Sequence, residues 1–139
     1  MGVRNCHLRK PLPQKVRQAV YDKYHGHCAY CGKEIDFKDM QVDHITGYGA
    51  AFYGVNGENV LQMIEDGSIN AIDNLLPSCR RCNYYKGPFD IEALRQRILT
   101  ELEHTCRQTF STQLAMQYGM ISYQPWDGVF YFERQKQTI

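Results

Sequence analysis

An α+β domain is predicted for this chain by three observations. Two segments carry apolar residues at helical spacing, Val16, Ala19, Val20 and Tyr24 in one and Ile91, Leu94, Ile98 and Leu102 in the other. Between them Met40, Val42 and His44 alternate with Gln41 and Asp43, the period-two pattern of a strand. Two C-x-x-C pairs, Cys28-Ala29-Tyr30-Cys31 and Cys79-Arg80-Arg81-Cys82, bracket that strand and hold its surroundings to a common centre.

The first helix is expected after Pro11 and Pro13, with Gly26 at its end, where a left-handed residue is needed before the first cysteine turn. Gly32 follows Cys31 as a tight turn requires. The strand then delivers Asp43 and His44 at its end. Residues 45–57 hold four glycines and several aromatics and read as a loop, followed by an amphipathic segment with Val60, Leu61 and Ile64. The whole insertion covers residues 45–73. From Cys82 a short helix is expected through Lys86, stopped by Gly87 and Pro88, before the second long helix, capped by Asp90.

At 139 residues the chain has the size of one ordinary domain, and it is read as a single domain spanning 1–139. Residues 1–12 form an N-terminal extension, 13–88 the cysteine-clamped core, and 89–139 C-terminal helices with a short strand. The composition, 43% hydrophobic and 22% charged, is that of a globular protein without repeats or low-complexity tracts. A net charge of +1 excludes a chain-wide basic field, so affinity for nucleic acid has to come from a local patch. There is no long apolar run, and Arg4, His7, Arg9 and Lys10 stand where a signal peptide would carry its apolar region. A membrane partner is therefore not expected, and the localisation expected is cytoplasmic.

Six cysteines are enough for three disulfides, but the paired spacing favours a metal. Each C-x-x-C turn offers two thiolates to one ion, and two turns complete a tetrahedral site with zinc–sulfur distances of about 2.3 Å. Structural Zn²⁺ on Cys28, Cys31, Cys79 and Cys82 is the leading assignment; rubredoxin-like iron and a redox-active dithiol compete with it. Cys6 and Cys106 lack such spacing and read as small hydrophobes or unpaired thiols.

The residues inside this clamp carry chemistry. A histidine, with an ordinary pKa of about 6.5, is suited to accept a proton from water, and an adjacent carboxylate is a hard-oxygen metal ligand. Neighbouring strand residues point to opposite sides, so His44 and Asp43 serve one site only at a distorted strand end. Asn74 and Asn83 add amides that orient a side chain or donate an oxygen. Arg80, Arg81 and Lys86 form a basic cluster suited to phosphates; offsetting the charge of a four-thiolate site is the competing role for these cations. His25 and His27 beside the first pair are assigned surface or packing roles. Tyr48, Phe52 and Tyr53 stack on bases or clamp the insertion, while Tyr84 and Tyr85 are expected to pack.

Cys28-x2-Cys31, Val42-Asp43-His44-Ile45, and the run Asp73-Asn74-Leu75-Leu76-Pro77-Ser78-Cys79-Arg80-Arg81-Cys82-Asn83-Tyr84-Tyr85-Lys86 together resemble the HNH endonuclease family, in its zinc-clamped bacterial and phage-type members. The likeness extends over residues 13–133. It implies a ββα-metal (His-Me finger) core with flanking helices, DNA as substrate, His44 as general base, Asp43 as metal ligand, and Asn74 as the residue that fixes the loop and orients His44. Asn83 takes the last motif position, where many members have histidine, so the chain resembles an H-N-N variant. An asparagine oxygen in that place favours Mg²⁺ or Mn²⁺ over softer ions at the catalytic site. Gly47 and Tyr48 depart from the family where a proline commonly follows the histidine, which bears on the loop path. The function implied is metal-dependent hydrolysis of DNA phosphodiester bonds, by nicking or double-strand cleavage. The alternative is a zinc-stabilised nucleic-acid-binding or interaction module without catalysis.

Overall fold

The computed structural model describes residues 11–47 and 57–137, so Cys6, Tyr48, Phe52, Tyr53 and most of the N-terminal extension lie outside the described residues. The chain forms two compact units. One runs to Asp90 and takes up the chain again from Phe130; the other is Ile91–Val129. Mixed helices and a small sheet make the architecture α+β.

In the first unit helix α1, Gln14–Asp22, buries Val20 and stops before a turn in which Gly26 adopts φ +78°. Strand β1, Gln41–His44, pairs antiparallel with β2, Leu75–Ser78, in the register Gln41 to Ser78 and His44 to Leu75. Between them lie helix α2, Gly57–Asp66, and two short 3₁₀ turns, Ser68–Asn70 and Ile72–Asn74. Val60 on α2 and Ile69 form a small buried cluster with Met63 and Ile64 packed on it, which anchors the first of these turns. All four β2 residues are buried, as expected of a strand covered on both faces.

Helix α3, Arg80–Lys86, begins two residues earlier than the sequence suggested. Cys79 is its N-cap, and its sulfur accepts the Cys82 N–H at 3.4 Å, a role ordinarily taken by a short polar side chain. Gly87, at φ 57°, follows the helix as predicted.

The C-terminal short strand is corrected by the structure: among the described residues the strands are β1 and β2 alone, and Tyr131–Gln137 is a helix, α7, belonging to the first unit. The aromatic run Phe130–Phe132 has strand propensity, but Glu133 accepts the Phe130 N–H at 2.9 Å, the reciprocal half of a capping box, and good helix formers follow. The aromatics pack on the first cysteine turn. Tyr30 meets Phe130 edge to face at 5.4 Å, and Phe132 N–H donates to Ala29 O at 2.8 Å.

The second unit contains α4, Ile91–Arg97, then a π-helical turn, Ile98–Leu102, then α5, Glu103–Gln108, and α6, Phe110–Gln117. The predicted second long helix is thus widened in its middle, and Leu94 is its buried residue. Arg95 salt-bridges Glu92 and donates to Gly128 O, closing the unit on itself. No helix of the described residues is long and apolar enough to cross a membrane.

Candidate active site and metal centre

The first cysteine pair sits on a turn bonded on three sides. Gly32 N–H donates to Cys28 O at 2.9 Å, Cys28 N–H to Lys33 O, and Ala29 N–H to Pro77 O, both at 2.8 Å. The last bond brings the turn against β2, whose end carries the second pair. Gly32, at φ +80°, lies so close to Tyr131 that a Cβ would stand 2.7 Å from its ring, which leaves room for glycine alone.

All four sulfurs of Cys28, Cys31, Cys79 and Cys82 consequently lie within 4.8 Å of one another, with Cys31 and Cys79 at 3.9 Å. The donor set can bind a metal such as zinc: four soft sulfurs at the spacing of a tetrahedron. Hydrogen bonds from Cys31 and Cys82 hold the Cys28 thiol far below the usual thiol range. In return the Cys28 bond pushes Cys31 up to about 11, and the bonds to Cys28 and Cys31 push Cys82 far up. Four thiolates this close need a cation among them to ionise together. Cys106 is exposed and free.

Asp43 and His44 leave β1 for different partners, as strand alternation requires. Asp43 is buried; its carboxylate accepts a hydrogen bond from the Tyr30 hydroxyl and pairs with the Lys86 ammonium, 3.1 Å from Oδ2 and 3.3 Å from Oδ1. Burial and the Asp43 charge raise the Tyr30 phenol far above its ordinary pKa, so it remains a donor. His44, half-buried, has Nε2 2.9 Å from Asn70 Oδ1.

Asn74 does the work of a strand partner beyond the end of the ladder. Its Oδ1 accepts Thr46 N–H at 2.8 Å, its Nδ2 donates to Thr46 O at 3.1 Å and to Ile69 O at 2.7 Å, and its own carbonyl accepts Ile45 N–H. The chain leaving His44 is thereby stitched to both 3₁₀ turns. Asn83 lies three residues before Lys86 on α3 and so on a neighbouring strip of that helix.

Arg80 and Arg81 are exposed and line an open groove of about 630 Å³ with Lys33, Gln41, Cys79, Asn83 and Tyr84. Lys86 does not stand with them at the surface. It is 4% exposed and directed to Asp43. The packing expected of Tyr84 is also corrected: it is 89% exposed, because it stands two residues, about half a helical turn, from the buried Lys86, while Tyr85 is half-buried. His27 keeps its packing role, stacked on Tyr131 at 5.4 Å. Tyr30 and Asn70 escaped the sequence reading. A tyrosine between two cysteines and an asparagine in a loop have no periodicity or motif that marks them.

No family model matches the chain. It is 37% identical over 68 residues to the CRISPR-associated endonuclease Cas9 of Corynebacterium diphtheriae, a match covering 48% of this chain and 5% of that protein. A solved structure, the Type II-C Cas9 enzyme from Actinomyces naeslundii, aligns over 84% of this chain and 12% of that one at 16% identity and a TM-score of 0.43, a likeness too weak to define a fold. The chain is thus similar in sequence to a small part of a CRISPR-associated endonuclease, and spans about one-twentieth of that relative's length.

Proposed function

We propose that the chain is a metal-dependent DNA endonuclease of the HNH type with a ββα-metal core. One observation carries the reading: β1 ends in Asp43-His44, the helix leaving β2 bears Asn83, and the thiol cluster ties that helix to the turn before β1. The sequence likeness to part of a CRISPR-associated endonuclease supports it.

In this reading Cys28, Cys31, Cys79 and Cys82 would hold Zn²⁺, which would cross-link the frame and supply no chemistry of its own. Asp43 and Asn83 would hold Mg²⁺ or Mn²⁺. Both donate hard oxygens, and a carboxylate has about four lone-pair sites, so the bonds from Tyr30 and Lys86 leave capacity for an ion. When bound, that ion supplies charge neutralisation at the scissile phosphate and the leaving oxygen. His44 takes one proton from a water molecule. The water oxygen forms a new bond to phosphorus, the bond to the 3′-oxygen breaks, and that oxygen takes up a proton to leave as a hydroxyl. Arg80 and Arg81 hold flanking phosphates.

The test is conversion of supercoiled plasmid to nicked or linear DNA in a series of divalent ions. Mg²⁺ or Mn²⁺ is expected to support it, and His44→Ala to abolish it with zinc content and fold retained. Undiminished cleavage by His44→Ala would remove the mechanism. A second reading, a zinc-stabilised nucleic-acid-binding module without turnover, is favoured by the Lys86 ammonium already neutralising Asp43. DNA binding with no cleavage in any metal is its signature.

A further inference from the structure

We propose that Asn70 is the positioning residue of His44, holding its imidazole as the Nε2–H tautomer so that Nδ1 presents the lone pair. The inference rests on the reading of His44 as the general base.

The geometry is specific. Asn70 Oδ1 faces His44 Nε2 at 2.9 Å, and a carboxamide oxygen only accepts, so the ring nitrogen opposite it carries the hydrogen. In a neutral imidazole that leaves Nδ1 as the basic atom. The same bond restrains rotation about the side-chain torsions of His44.

Asn70 is itself held from several directions. Its N–H donates to Gly67 O at 3.2 Å, the adjacent Ile69 side chain is buried against Val60, and Ile69 O accepts from Asn74 Nδ2 at 2.7 Å. Asn74 in turn grips Thr46, two residues beyond His44. The two asparagines divide the task the sequence assigned to one: Asn74 sets the backbone after His44, and Asn70 sets the ring. A tautomer-fixing partner of this kind acts on the chemical step, because the wrong tautomer offers N–H where a lone pair is needed.

The test has two arms on the 139-residue chain. Long-range ¹H–¹⁵N correlation of the wild-type imidazole at about pH 8, above the ordinary histidine pKa of about 6.5, is expected to show Nε2 protonated and Nδ1 unprotonated. Any other pattern overturns the proposal, and this arm needs neither cleavage nor a variant. In plasmid cleavage Asn70→Leu, which keeps the volume and loses the acceptor, is expected to lower kcat about 10- to 100-fold with KM for DNA unchanged. Asn70→Asp, which restores an acceptor oxygen, is expected to recover most of kcat. Wild-type kcat in Asn70→Leu overturns this inference alone, whereas a wild-type chain that binds but never cleaves DNA overturns the nuclease reading. Should Asn70→Leu fail to fold, the wild-type tautomer decides.

Discussion

The Lys86 ammonium lies 3.1 Å from Asp43 Oδ2 with both side chains almost wholly buried, so a charge pair ties the helix after the second strand to the first strand. A buried pair of this kind is costly to break from one side, since the remaining charge has no water to turn to. The Tyr30 hydroxyl donates a hydrogen bond to the same carboxylate.

Lys86→Met is therefore expected to destabilise the fold by about 3–5 kcal/mol, measured by denaturant unfolding. The double variant Asp43→Asn with Lys86→Met should recover much of this. Equal stability of Lys86→Met and wild type would show that the pair contributes nothing.

Tyr30→Phe keeps the ring against Phe130 and deletes one donor to a buried carboxylate, a loss of about 1–3 kcal/mol. The folded-state pKa of Tyr30 is raised above its unfolded value near 10, so the protonated phenol's contribution is complete below pH 10 and is lost as pH rises beyond it. Wild type should lose stability more steeply above about pH 10 than Tyr30→Phe, which keeps only the smaller contribution of buried phenols such as Tyr24. Superimposable alkaline unfolding curves would count against the assignment.

Asn74→Asp sets a carboxyl against the carbonyls of Thr46 and Ile69, which now receive amide hydrogens. Those carbonyls disfavour the ionised form, so the introduced group titrates above the ordinary aspartate value of about 3.9. Relative to wild type, the damage should grow as pH rises from 4 to 7, by thermal melting at each pH. Asn74→Ala should instead cost about 1–3 kcal/mol with little dependence on pH.

Removal of metal by a strong chelator, or Cys79→Ser, is expected to unfold the cysteine-clamped unit, because ligation of a structural zinc contributes about 10–16 kcal/mol in small domains, as much as a whole domain's net stability. Circular dichroism with metal analysis checks this. A folded, metal-free Cys79→Ser chain would contradict it.

Arg80→Ala and Arg81→Ala should each weaken DNA binding and lower the slope of log affinity against log salt by about 1, since each removes one phosphate contact. Tyr84→Ala, in the same groove, should weaken single-stranded DNA binding with little change in that slope. Unchanged salt slopes would assign the arginines to the thiolates.

Local spacing was enough to read the cysteine cluster, the strand through His44 and the helices on either side, because each depends on residues a few positions apart. Two C-x-x-C turns declare their chemistry wherever the chain carries them, and alternation over Met40–His44 declares a strand. The partners of the reactive groups were decided by tertiary structure. Lys86 meets Asp43 across 43 positions and Asn70 meets His44 across 26, and no periodicity encodes either meeting. Lys86 looked like a surface cation beside two arginines until α3 turned it inward, and Tyr84, two residues before it, was turned out by the same helical rotation. The Phe130–Phe132 run shows the converse, a strand propensity overruled by the Glu133 cap and by packing on Tyr30. Residue types and short spacings announce which groups can ionise or ligate; which of them share a hydrogen bond is set by the packing of segments distant in the chain.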